Sequence, residues 1–307
     1  MKPTRACALL VLFATGAFAA EKSEVTTRSF PAKEGKSVLV DAGPLDLQVR
    51  AADINEIRLK IELVAAAFSE NQAKNWIEQH RPTVEDGEEQ LKITAPDPSG
   101  ISLFKGVLVT RARIELVLPL SVRPDLSTGS GSLRAEGEFA TGKPLRLRTA
   151  SGDAEFVGWA PEIEARSTSG DIVLRATRAL GNLMARTASG SVQLTGGARV
   201  VRCDTSSGDV RLDGLLGVTN VASTSGSVAL HFDALAPADE VHVTTTSGKV
   251  RVSLPPGSEP GGEIGTSKGE IRSAFPGESD PNSGKLKLTG VGPKLFVTTT
   301  SGRVDLD

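Results

Sequence analysis

"RTASGDAEF" occupies residues 148–156, and its Ser-Gly core returns along the chain. It reappears in "RSTSGDIVL" (166–174), "RTASGSVQL" (186–194), "DTSSGDVRL" (204–212), "ASTSGSVAL" (222–230), "TTTSGKVRV" (244–252) and "TTTSGRVDL" (298–306). A catalytic turn is needed once, whereas a structural corner is needed in every layer of a repetitive fold. The repetition therefore reads as architecture.

Nine glycines anchor the pattern: Gly131, Gly152, Gly170, Gly190, Gly208, Gly226, Gly248, Gly269 and Gly302, at spacings of 21, 18, 20, 18, 18, 22, 21 and 33 residues. Five residues before each glycine stand Leu126, Leu147, Ala165, Ala185, Cys203, Val221, Val243, Ile264 and Val297. Two residues after stand Leu133, Ala154, Ile172, Val192, Val210, Val228, Val250, Ile271 and Val304. Every member of both columns is apolar. Three before glycine, every residue carries a hydroxyl, from Thr128 and Thr149 to Thr299. Intervening positions are mostly charged, small or polar, which is the alternation of a half-buried strand.

The expected fold is all-β: a single-domain β-solenoid of stacked ~20-residue coils, each laying two short strands against the coils above and below. Glycine is expected at the corner because it tolerates positive φ, and the serine before it is expected to point into the stack. Gly137, Gly158, Gly196 and Gly214, six residues further on, mark a second corner.

The amino-terminal part is less regular. Lys2 and Arg5 precede an apolar run over 6–18, and Ala17-Phe18-Ala19 has the small-x-small form of a signal-peptidase site. Residues 1–19 read as a signal peptide and 20–36 as an N-terminal extension. Residues 37–120 read as irregular coils with a small strand/helix capping region, and 121–307 as regular SxSG repeats. In "FSENQAKNWIEQH", Ser69 and Gln72 form a capping box, and Ala73, Trp76 and Ile77 share one face, so one helix is expected near 70–79. "VLVTRARIELVLPL" alternates as a strand, with Leu108, Ala112, Ile114, Leu116 and Leu118 facing one way. "GISLFKG" (100–106) reads as a tucked loop, and the long final gap as an exposed turn with an extra strand before the last coil.

Composition narrows the partners. The chain has 35 basic and 37 acidic residues, and removing 1–19 takes two of the basic ones, so nothing points to nucleic acid. No apolar run reaches the ~20 residues of a spanning helix. With the signal removed, Cys203 is the one cysteine left, which excludes an intramolecular disulfide.

These repeats resemble a bacterial putative-adhesin family of exported proteins of unknown function. The likeness runs over residues 37–307 and includes "RIELVLP" and the ending "GVGPKLFVTTTSGRVDL". The resemblance implies a β-solenoid outside the cytoplasm, in the periplasm or at the cell surface, and carries over no catalytic residue.

No catalytic, cofactor or metal site is read from the sequence. A full Gly-x-Ser-x-Gly elbow is absent, and His80, His231 and His242 do not fall beside the serine column. Calcium at Asp153 and Asp171 stays open, although Lys249 and Arg303 occupy the same column and repel a cation. A polysaccharide lyase or hydrolase on a β-helix is the enzymatic alternative, but no outward column concentrates Asp and Glu. One outward column stands out: Arg148, Arg166 and Arg186 recur four before glycine, with Arg146 and Arg202 at the adjoining position. Asp153, Asp171, Asp204 and Asp209 are the expected neutralisers. The functional expectation is an exported, non-enzymatic binding or structural protein. It uses this arginine stripe for a cell-envelope polysaccharide or an envelope protein, without a cofactor.

Overall fold

In the computed structural model, which describes residues 7–9, 20–33, 35–96, 107–140, 142–280 and 283–307, the glycine-anchored columns become strand registers. The chain divides into two compact units, Met1–Thr141 with Leu147–Gly152 and Gly142–Arg146 with Asp153–Asp307. The repeats stack as parallel coils, the β-solenoid that the alternation requires, and the amino-terminal part adds antiparallel strands. Of residues 1–19, only Cys7–Leu9 is described, as a short strand antiparallel to 25–27. The cleavage site and the 100–106 loop lie outside the described residues.

The second unit shows the register most plainly. In one sheet Ala165, Ala185, Cys203, Val221, Val243, Val297 and Ile264 follow one another across parallel strands. In the other sheet the series is Ile172, Val192, Val210, Val228, Val250, Val304 and Ile271. All these side chains are buried except the half-buried Ile271. A single coil cannot bury this apolar face alone, so stacking supplies the core.

The stack does not follow chain order at its end. Lys294–Thr299 pairs with Glu240–Ser247 on one side and with Gly261–Thr266 on the other. The carboxy-terminal coil is therefore inserted between two earlier coils, which corrects the expectation that it lies last. The 33-residue gap holds Ile271–Ser273, the end strand of one sheet, and a hairpin, Gly277–Asp280 with Lys285–Thr289, that pairs along Gly261–Thr266 in the other. This end position accounts for Ile271, which has a packed strand on only one side.

The first unit repeats the device. Asp46–Ala52 lies between Val107–Pro119 and Leu133–Glu138, and Ser37–Asp41 between Gln90–Thr94 and Arg123–Thr128. The extension contains a strand, Ala20–Pro31, antiparallel along its whole length to Glu56–Ala67. The helix spans Glu70–His80 with Ser69 as N-cap, and Ala73 and Ile77 are buried against these long strands. Ser69 Oγ accepts from the Gln72 N–H at 3.3 Å, the bond the capping box predicts.

The corner glycines are required for a different reason than expected. Of the nine, only Gly226 has a left-handed backbone, with φ of 134°. A Cβ on Gly152, Gly190, Gly208, Gly248 or Gly302 would instead lie 1.7–2.0 Å from the carbonyl oxygen of the neighbouring coil's glycine. Close stacking of backbone, not turn geometry, excludes any side chain there. Positive φ belongs to the second corner, where Gly196 and Gly214 have φ of 86° and 85°.

Candidate functional site

At three corners of the second unit the hydroxyl three before glycine caps the turn, whereas those of Thr149, Ser223, Thr245 and Thr299 are buried without a hydrogen-bond partner. Thr187 Oγ1 accepts from the Gly190 N–H at 3.0 Å, and Ser167 and Thr205 do the same for Gly170 and Gly208. These short side-chain bonds satisfy donors that the strands leave unpaired as the chain turns. The serine just before glycine does not point inward. Ser151, Ser189 and Ser207 are exposed, which corrects the inward assignment. The strand Leu145–Thr149 ends before Ser151, so strict alternation no longer governs its direction.

The aspartates after glycine also serve the backbone. Asp153 Oδ1 accepts from the Asp171 N–H at 2.9 Å, Asp171 from Ser191 at 2.7 Å, and Asp209 from Ser227 at 2.7 Å. They are therefore not the carboxylates that neutralise the arginines, as the sequence had led us to expect of them. Of the four named, Asp204 alone does so.

In the second unit the arginines gather in two groups. Glu164 lies between Arg146, at 3.1 Å, and Arg166, at 2.6 Å. Asp204 lies between Arg186, at 2.9 Å, and Arg202, at 3.4 Å. Register places Arg166 opposite Arg186 and Arg186 opposite Asp204, so the column changes sign after two rungs. The arginine side chains remain 43–56% exposed. Glu162, a further carboxylate beside them, accepts from the Asn182 amide at 3.1 Å. In the first unit Arg148 bonds Asp125 at 2.9 Å. Glu164 and Asp125 were not anticipated; both stand six before a motif glycine, the outward position that also holds Arg146 and Arg202.

The histidines are engaged elsewhere. His80 stacks on Trp76 with ring centroids 4.1 Å apart, and His242 on Phe296 at 4.9 Å. His231 pairs with Asp233 at 3.6 Å. Cys203 is fully buried, and loss of hydration pushes its thiol up to about 12. Among the described residues no group of three or more His, Cys, Asp or Glu is placed to hold a metal ion.

A second basic cluster escaped the sequence reading. On the opposite sheet of the second unit, Lys249, Arg251, Arg272 and Arg303 surround Asp305 and Glu270. Alignment puts Arg251, Asp305 and Arg272 in one column, but only the inserted coil makes Asp305 the neighbour of both arginines.

A family model described as Toastrack DUF4097 matches residues 122–198 and 196–307. No curated protein matches the chain. Among solved structures, a "putative lipid binding protein" from Parabacteroides distasonis ATCC 8503 is similar at 14% identity and a TM-score of 0.51, over 92% of this chain and 96% of that one. A "putative adhesin" from Parabacteroides merdae ATCC 43184 is similar at 13% identity and a TM-score of 0.48, over 92% of this chain and 96% of that one. At 14% identity the likeness to the first is one of fold.

Proposed function

The chain belongs to the Toastrack DUF4097 family, and from that membership and the charged face of its second unit we propose a non-enzymatic binding protein of the cell envelope. It is exported by the signal at 1–19 and acts in the periplasm or at the cell surface. Its ligand is an acidic polysaccharide, held along Arg146, Arg166, Arg186 and Arg202.

The observation that carries this reading is the sharing of carboxylates. Glu164 serves two guanidinium groups and Asp204 serves two more. Each guanidinium presents five N–H donors in a planar fork, and half of a shared carboxylate occupies only some of them. The side chains of Arg166, Arg186 and Arg202 stay 43–56% exposed, so donors that the shared carboxylates do not use face solvent. Spaced acidic groups on a polymer make many weak contacts with such a face, and the contacts combine.

The test is titration of the protein with polygalacturonate at about 20 and about 200 mM salt, where the screening length falls severalfold. The expected result is saturable binding that weakens at least tenfold with salt and is lost in the triple variant Arg166→Ser/Arg186→Ser/Arg202→Ser. Salt-insensitive binding, or full binding by the variant, rejects the proposal. Shortening of the polymer would instead favour the carbohydrate-active enzyme.

A further inference from the structure

The cluster on the opposite sheet of the second unit has a geometry of its own. Arg251 is in register with Asp305 and Asp305 with Arg272, so an Arg-Asp-Arg row crosses three parallel strands. Two residues earlier, each just before its strand begins, stand Lys249, Arg303 and Glu270. Lys249 Nζ donates to Asp305 at 2.7 Å, while Arg272 Nε and Arg303 Nε approach Glu270 at 2.9 and 3.3 Å. The nearest carboxylate oxygen to the Arg251 guanidinium is that of Asp305 at 4.0 Å, beyond hydrogen-bond reach. Two carboxylates are thus divided among four cations. Asp305, with its side chain only 16% exposed, lies beneath them, and Arg251 is 55% and Arg272 59% exposed.

The surface here carries a shallow, open depression. The small side chains of Ser273 and Ala274 help to leave a hollow of about 500 Å³ beside the arginines. Asp307 at its rim is the third carboxylate, and its Oδ1 accepts from the Ser253 hydroxyl at 3.0 Å. Arg251 and Arg272 start two strand spacings apart, ~9–10 Å at the backbone. Long side chains can close that distance over one tetrahedral anion, and planar guanidinium forks match its oxygens.

We infer that this hollow binds a phosphate group, chelated between Arg251 and Arg272 while Lys249 stays neutralised on Asp305. The group comes from a soluble phosphomonoester or from a lipid headgroup, which share this chemistry. The site uses other residues on the other sheet, so it stands or falls independently of the arginine stripe.

Calorimetric titration with inorganic phosphate, glycerol 3-phosphate and glycerol tests the inference at low salt. Both phosphates should bind and compete, glycerol should not, and the affinity for glycerol 3-phosphate should rise between about pH 5 and pH 7.5 as the second proton of the monoester leaves, near pH ~6. Arg251→Ser/Arg272→Ser should weaken binding at least tenfold, whereas Arg166→Ser/Arg186→Ser should leave it unchanged. Arg251→Lys keeps the charge but loses the fork, and should fall between. Thermal melts of these exposed-site variants, matching that of the parent protein, tie any loss to the site. Absence of saturable phosphate binding, or equal affinity in the Arg251/Arg272 double variant, overturns the inference. Vesicles of phosphatidic acid in phosphatidylcholine identify the source. Capture that glycerol 3-phosphate reverses supports a lipid headgroup, and phosphate binding without vesicle capture supports a soluble ester.

Discussion

Asp171 accepts a hydrogen bond at 2.7 Å from the backbone N–H of Ser191, the residue that holds its own position one coil further on. Asp153 and Asp209 reach across in the same way, and in the first unit Asp46 accepts from the Ser132 N–H at 2.9 Å. The carboxylate extends the ladder of the sheet past the point where the strands diverge into the corner. This explains why aspartate follows glycine in the repeat without any need for a bound cation.

Replacing Asp171 by Ala should therefore destabilise the protein by about 1–2 kcal/mol, the worth of a charge-assisted hydrogen bond to a backbone donor. Denaturant unfolding measures the change. Added calcium should leave the parent midpoint where it is, since the carboxylate is already committed to the Ser191 amide.

Glycine at the first corner should tolerate nothing larger. A Cβ on Gly208 would lie 1.7 Å from the Gly190 carbonyl oxygen, an atom held in the neighbouring coil. Gly208→Ala should cost about 3 kcal/mol or more, at the upper end for overpacking. Gly265, in the strand Gly261–Thr266, would meet only the Lys285 side chain at 4.0 Å. Gly265→Ala should stay within about 1 kcal/mol of the parent, and paired unfolding curves decide the matter.

Much of this was legible in the sequence. Spacing from each glycine set the registers of both sheets, because a strict alternation of apolar and polar residues leaves one pairing that buries both columns. The helix was legible from Ser69 and Gln72. The order of the final coils was not, because apolar columns report which positions align and not which coil neighbours which. The basic cluster around Asp305 stayed hidden for that reason. Ser151 was misread because alternation was carried past the end of its strand, and the corner glycines because a close backbone approach leaves no trace in local propensity.

Lys249, through its hydrogen bond and its charge, holds the Asp305 carboxyl below its usual range, with Arg303 and Arg251 adding to the effect. A carboxylate with a depressed folded pKa contributes stability above its unfolded value near ~3.9, and that contribution is lost as pH falls through the folded value. Asp305→Asn should therefore be less stable than the parent at neutral pH, by under about 1 kcal/mol because Lys249 is solvent-screened. The two proteins should converge in acid. Melting midpoints followed from neutral to strongly acidic pH check the sign.

Cys203 should not react with a thiol reagent while the protein is folded. Burial raises its thiol to about 12, so almost no thiolate is present at mildly alkaline pH. In a chain that begins at Ala20, where Cys203 is the one cysteine, labelling by a chromogenic disulfide should be absent at about pH 8 and rapid in denaturant. Reaction of the native protein at the rate of an exposed thiol would show that the Ala185–Cys203–Val221 column is open.

The binding face is tested most directly by arginine footprinting. Phenylglyoxal modification, read by mass spectrometry peptide by peptide, should slow at Arg166, Arg186 and Arg202 when polygalacturonate is added. Arg211, on the opposite sheet with its side chain 70% exposed, should react at an unchanged rate. Equal slowing at Arg211, or none at the three stripe arginines while the polymer is bound, would contradict the account.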